Sequence, residues 1–140
     1  MPTNWKPEII LLTEFPEAKR YKIDASFFPA VPEDRILGWE IENGVTLSCE
    51  IRSFLLQSDG LEVSRGEFWP IHPLSSWEVL RDECSSATPW IRFGESVSHR
   101  YLLSTGHSPS IYRHEIFGSE EEFFSSSLRG YLTKVFRNET

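Results

Sequence analysis

The sequence predicts an α+β fold: a mainly antiparallel sheet of about five to six strands, flanked by N-terminal helices and a C-terminal helix. Three observations carry this prediction. Phe124, Leu128, Tyr131, Leu132, Val135 and Phe136 recur at i, i+4, i+7, i+8, i+11 and i+12, the cleanest helical period in the chain. Between Leu61 and Phe117, short β-rich runs alternate with glycine and proline and read as a meander of strands interrupted by one helix. Upstream, two amphipathic stretches joined at Asn43-Gly44 read as a helical hairpin.

A length of 140 residues suits one domain, 1–140, and ten Phe, five Trp and four Tyr can build a core without metal or disulfide help. Cys49 and Cys84 form neither a CxxC pair nor a disulfide framework, so they read as buried or free thiols of a reducing compartment. Met1–Lys6 is not a basic segment leading into an apolar one, so no secretory signal is expected. The longest apolar run, Ile9–Leu12, is far short of a membrane span, and the expected location is the cytoplasm. The net charge of −7 comes from 21 acidic and 14 basic residues with no basic stripe. Such a chain is repelled by phosphate, which disfavours nucleic acid and suits either simple solubility or a basic protein partner.

Asn4 is placed to cap a first helix carrying Trp5, Ile9, Leu12 and Phe15 on one face, although Glu8–Thr13 is equally readable as a strand. Pro16 ends whichever it is, and Tyr21–Phe28 reads as extended. Pro32 then leads into a helix over Glu33–Glu42 with Ile36, Leu37 and Ile41 on its buried side. Gly44 closes that helix and is expected at positive φ. Thr46 or Ser48 caps the next helix, which packs Ile51, Phe54 and Leu55 inward and stops at Ser58-Asp59-Gly60.

Leu61–Ser64 and Glu67–His72 are strand candidates around an Arg65-Gly66 turn, and Pro70 and Pro73 place the second at an edge. Ser75-x-x-Glu78 has the form of a capping box and predicts a helix over Trp77–Cys84. Trp90–Gly94, Arg100–Ser104 and Ser110–Phe117 read as further strands, with Gly94 and Thr105–Pro109 as turns. A second capping box, Ser119-x-x-Glu122, predicts the start of the final helix and accounts for Glu120–Glu122 at its positive dipole end.

No residue cluster announces a reaction. His72, His99, His107 and His114 show no metal-ligand spacing, no glycine loop cradles a phosphate, and no nucleophile elbow is present, so neither metal nor cofactor is expected. Most of the aromatics read as core. Trp69, between Phe68 and Pro70 on an edge strand, is the candidate binding anchor. With Asp59, Glu62, Glu67, Asp82 and Glu83 it makes the candidate partner face, provided the fold brings these separate segments together. Asp82 and Glu83 sit near the expected end of a helix, where negative charge is unfavourable unless a partner or Arg81 offsets it.

Pro29-Ala30, Ile36-x3-Glu40-x3-Gly44-x2-Leu47, Phe54-Leu55 and Asp59-Gly60 resemble the SUKH superfamily (Smi/Knr-like). Trp69–Leu74 is similar to that superfamily's strand end, Ile91-x-Phe93-Gly94 to its next strand, and Ser127-Leu128-x-x-Tyr131-Leu132 to its terminal helix. The match runs in unbroken order over about residues 29–136, with Ser48 where the family prefers proline and Asp59 where it prefers asparagine. The resemblance implies a sheet flanked by helices and an activity of binding rather than catalysis, as in bacterial toxin-immunity proteins and fungal regulators of cell-wall synthesis. It implies a non-catalytic protein-binding module whose motif residues are scaffold positions, most concretely an immunity protein that occludes a toxin domain, and the excess of acid would suit a basic toxin domain as its partner. Two alternatives stand beside it: a regulatory adaptor with an endogenous protein partner, and a small hydrolase or metal enzyme using His72, His99 or His114.

Overall fold

The computed structural model describes residues 4–20, 23–63, 69–80, 89–105, 110–118 and 120–137. In chain order the elements are helices α1 (Trp5–Leu12) and α2 (Pro16–Arg20), strand β1 (Ala25–Phe27), and helices α3 (Glu33–Asn43) and α4 (Cys49–Leu55). Strand β2 (Leu61–Val63), a 3-10 turn (Leu74–Ser76), strands β3 (Glu78–Leu80), β4 (Trp90–Glu95), β5 (His99–Ser104), β6 (Ile111–Glu115) and β7 (Glu122–Ser125), and helix α5 (Leu128–Phe136) follow. β1 and β2 pair antiparallel, and β3-β4-β5-β6-β7 form a five-stranded antiparallel meander. The α+β prediction holds.

Residues 69–72 stitch the two sheets together. Trp69 and Glu95 exchange both backbone hydrogen bonds, at 3.1 and 2.9 Å, and the His72 N–H donates to the Phe93 carbonyl at 2.7 Å. On the other side, the Leu61 N–H donates to the Ile71 carbonyl at 2.7 Å. This segment and β3 therefore occupy successive stretches of one edge of β4, and β1-β2 is joined to the meander through it. Tyr131 of α5 fastens the junction from the core by donating its hydroxyl to the Pro70 carbonyl at 2.8 Å. Its burial, beside Tyr101, pushes the Tyr131 hydroxyl well above its ordinary pKa, so it remains a donor.

The helices cover one face of this sheet. Ile91, Phe93, Tyr101, Leu103, Ile111 and Phe124 enter one core with Trp5, Ile36, Phe54 and the stripe of α5. That stripe (Leu128, Tyr131, Leu132, Val135, Phe136) is fully sequestered, and at ~1.5–3 kcal/mol per large apolar side chain it readily outweighs the weak propensities nearby.

The helical hairpin is built as its spacing suggests. Gly44 ends α3 at φ 67°, in the left-handed region, and the Val45 N–H returns to the Glu40 carbonyl. Ser48 caps α4, accepting from the Ile51 N–H at 3.3 Å. Replacing Gly44 by valine is expected to destabilise the domain by about 1 kcal/mol or more, read from a shift in urea midpoint at unchanged slope. A variant as stable as the parent would show that the turn relaxes to another geometry.

Several expectations are corrected. Residues 5–12 are helical, yet Asn4 makes no side-chain cap; α1 already stops at Leu12, capped at Thr13, and Pro16 opens α2 instead. On α3 the buried positions are Ile36 and Glu40, one turn apart. Leu37 and Ile41 lie about 100° further round and are exposed. Residues 78–80 are strand and not helix, because Glu78, Val79 and Leu80 pair with Arg92, Ile91 and Trp90. The turn before them is capped by Asp59, whose carboxylate accepts from the Leu74 N–H at 2.8 Å. Gly94 lies inside β4, and the reversal comes after Glu95. Residues 122–125 are strand β7, so Glu120 and Glu121 lead into a strand that Glu122 opens, and not into a helix N-terminus. Helix α5 begins only at Leu128, where Ser127 accepts from the Gly130 N–H and the Glu50 carboxylate accepts from the Leu128 N–H. The expected Arg65-Gly66 turn and the segment 81–84 lie outside the described residues.

Candidate functional site

Strand alternation divides the meander's side chains between two faces. With Ile91, Tyr101, Leu103, Ile111 and Phe124 committed to the core, their neighbours Trp90, Arg92, Arg100, Leu102, Tyr112, His114 and Phe123 occupy the other face. The buried apolar side chains of the described helices belong to the main core. Leu102 is nonetheless buried on the other face, outside the main core, under a row of aromatic edges. Trp90 meets Tyr112 edge-on at 4.9 Å between ring centroids, and Tyr112 meets Phe123 at 5.7 Å.

At the opposite end of the same face stands the aromatic anchor expected from the sequence. Trp69 is half-buried, stacked between Phe28 at 5.4 Å and His72 at 5.9 Å. The His72 Nε2 lies 3.1 Å from Glu95, the residue paired across β4–β5 with Arg100. His72, Ser76, Glu78, Arg92, Glu95 and Arg100 line a polar cleft of about 290 Å³. Arg92 is tied to Glu78, whereas no ion pair to Arg100 is present among the described residues.

The other candidate residues divide into three groups. Glu62, half-exposed on β2 opposite Ser26, points away from the core that takes Leu61 and Val63, and so faces outward. Asp59 is used structurally: besides capping the 3-10 turn it meets Arg35 at 3.4 Å, and its own N–H donates to the Pro29 carbonyl. Glu67, Asp82 and Glu83 lie outside the described residues.

The described histidines do not converge. His72 belongs to the polar cleft, His114 lines a separate depression of about 620 Å³ with Glu115 and Glu120–Glu122, and His99 contacts Ser98 at 2.7 Å. Burial, with the Arg113 guanidinium nearby, holds the His99 imidazole below its ordinary pKa. No group of three His, Cys, Asp or Glu side chains is arranged to hold a metal among the described residues.

Sequence reading alone missed Phe28, Arg92 and Arg100 around Trp69, and Trp90, Tyr112 and Phe123 across the face. The available signal was the alternation itself: Trp90-Ile91-Arg92-Phe93 and Ile111-Tyr112-Arg113 each place an aromatic one step out of phase with a core residue. No protein-family model and no curated protein matches this chain. No described helix is long and apolar enough to cross a membrane.

Proposed function

We propose that this chain is a non-catalytic protein-binding module, and specifically an immunity protein that neutralises a toxin domain by covering a basic surface. The observation that carries the reading is Trp69, a large ring stacked between Phe28 and His72 yet left half-accessible, with its backbone bridged to Glu95. A pre-ordered aromatic loses little conformational entropy on contact, which is why such residues dominate binding energy at interfaces. The chain's excess of acid suits a basic partner and fast, salt-dependent association. The SUKH-like residues add the immunity role as a matter of resemblance, and cytoplasmic action belongs to the same reading.

The test is a toxin domain encoded beside this gene. Co-expression is expected to restore growth to cells making that toxin, and the purified pair to bind. Trp69→Ala is expected to cost ~2 kcal/mol or more of binding, while neutralising Glu62 mainly slows association and flattens its salt dependence. Growth arrest despite soluble expression of this chain would overturn the immunity reading. A neighbourhood of endogenous regulators with no toxin gene would favour an adaptor instead.

A further inference from the structure

Helix α3 buries Ile36 and Glu40 and carries Gly38 on its opposite side. Gly38 lies inside the helix without a positive φ, and nothing among the described residues comes within 4 Å of where its Cβ would stand. Neither backbone conformation nor packing within the described chain requires glycine there, although glycine weakens a helix interior relative to alanine. Leu37 and Ile41 flank it and are 46% and 81% exposed. At about 100° per residue, Asp34, Leu37, Gly38, Ile41 and Glu42 fall within about 140° of helix arc, so they share one face. Asp34 and Glu42 stand one turn before and one turn after Gly38, both exposed. They form no ion pair among the described residues, whereas Arg35 is held by Asp59 and Arg52 by Glu40 and Glu33. The face is an apolar strip with a flat centre and a free carboxylate at each end.

We propose that this face of α3 docks a basic, amphipathic helix of a protein partner, whose backbone crosses closely over Gly38. The side chains at a helix–helix contact set the distance between the axes, and glycine permits the closest approach. Apolar side chains of the partner lie against Leu37 and Ile41, the anchor pattern of helix recognition. A Lys or Arg at each end of its apolar stripe pairs with Asp34 and Glu42. These two carboxylates are about 12 Å apart along the axis, which a pair of basic residues about seven or eight positions apart on the partner helix would match. Charge decides the occupant. A nucleic acid or an anionic membrane would be repelled by the same carboxylates. A second copy docking by two-fold symmetry over Gly38 would set Asp34 against Glu42 of its image if antiparallel, and each carboxylate against itself if parallel. The surface shares no residue with the Trp69 site, so the inference goes beyond the toxin reading and has in common with it only that the partner is a protein.

The experiment selects, on the full chain, from a phage-displayed library of helical peptides randomised along one face, and then measures affinity with the resynthesised peptides. Enriched helices are expected to carry two basic residues about seven or eight positions apart with aliphatic residues between them. Gly38→Gln is the decisive variant, because its two readouts are expected to move in opposite directions. The thermal midpoint is expected to rise by roughly 3 °C, since a better helix former enters open space, while affinity for the peptides falls roughly tenfold or more. Gly38→Ala is expected to share the gain in midpoint with a smaller loss of affinity. Ile41→Ser is expected to weaken binding roughly tenfold, and Asp34→Asn with Glu42→Gln to slow association and flatten its salt dependence. Trp69→Ala is expected to leave these peptides unaffected. The proposal is overturned by neutral or acidic consensus peptides, by failure to enrich any, or by unchanged affinity in Gly38→Gln and Ile41→Ser. A lowered midpoint in Gly38→Ala would also overturn it, by showing that the glycine serves the fold. A concentration-dependent dimer dispersed by Gly38→Gln would do so by assigning the face to a second copy. A neighbouring toxin that fails to bind removes the immunity reading while leaving these outcomes intact.

Discussion

Gly94→Ala is expected to be the most damaging single methyl that can be added to this protein. A Cβ at residue 94 would sit on the Pro70 carbonyl oxygen and within 2.8 Å of the Pro70 carbonyl carbon, with the Trp69 carbonyl oxygen at 3.1 Å. The obstacle is backbone, so no rotamer change relieves it. It also lies in the segment that, among the described residues, bridges β1-β2 to the meander, through Trp69–Glu95 and Leu61–Ile71. Withdrawing residues 69–72 by enough to admit a methyl would stretch both bridges and pull the Pro70 carbonyl from the Tyr131 hydroxyl. Overpacking of this kind costs about 3 kcal/mol at its usual upper end, and loss of the buried hydrogen bond adds to it. Urea unfolding is the measurement, and hydrogen exchange should show the loss concentrated at Trp69, Ile71 and Leu61. A Gly94→Ala protein within about 0.5 kcal/mol of the parent would mean that residues 69–72 do not lie against β4 as described.

Gly94 also marks where sequence reading goes astray. Inside a β-rich run, a glycine signals either a turn or a close backbone approach, and these differ only in what lies opposite, which is tertiary information. The two apparent capping boxes failed for a related reason. Ser75-x-x-Glu78 and Ser119-x-x-Glu122 satisfy a local pattern, but cross-strand partners take both glutamates: Arg92 holds Glu78, and Arg113 holds Glu122. Ladder pairing with the neighbouring strand of the meander outweighs a cap of ~1 kcal/mol. Phe124 deceived differently. It continues the helical period of α5 toward its N-terminus, yet it reaches the same core from a strand, meeting Tyr131 edge-on from β7. Periodicity identifies which residues are buried more reliably than the element that carries them. The true start of α5 was written locally all the same, in Ser127 three residues before Gly130, whose N–H it accepts.

The helical hairpin was legible because its constraints are local. Gly44 needs positive φ, Ser48 needs a donor three residues on, and Ile36, Leu47, Phe54 and Leu55 need burial, and all are met within residues 36–55. The candidate face was only half legible. Trp69 stood out as an aromatic among prolines, but the residues that make it a site (Phe28, His72, Glu95 and Arg100) come from four separate segments with no common spacing. Register brings them together, and register is a property of pairing rather than of any one strand.

Glu40→Ala is expected to have the second largest effect, for electrostatic rather than steric reasons. Glu40 is buried on α3, and its carboxylate performs two tasks. It accepts the Leu47 N–H at 2.7 Å, fixing the chain after the Gly44 turn, and it receives the Arg52 guanidinium from α4. The side chains of Glu40 and Arg52 are only 9% and 20% exposed, so solvent screens the pair weakly. Truncating Glu40 leaves the Leu47 N–H without its acceptor and Arg52 with only Glu33, at 3.8 Å and on the surface. Removing one member of such a pair costs about 3–5 kcal/mol in a fully buried site, and Arg52's partial exposure places this pair near the lower figure. Glu40→Gln is expected to fall between, since an amide oxygen still accepts from Leu47 but offers no charge to Arg52. Arg52→Met in the Glu40→Ala background should restore part of the loss, because it removes the stranded cation, and the two changes should be strongly non-additive. The measurement is a double-mutant cycle by urea denaturation. Strict additivity, or a Glu40→Ala protein within about 0.5 kcal/mol of the parent, would show that the hairpin is held by Ile36, Leu47 and Phe54 packing alone and that the carboxylate is incidental.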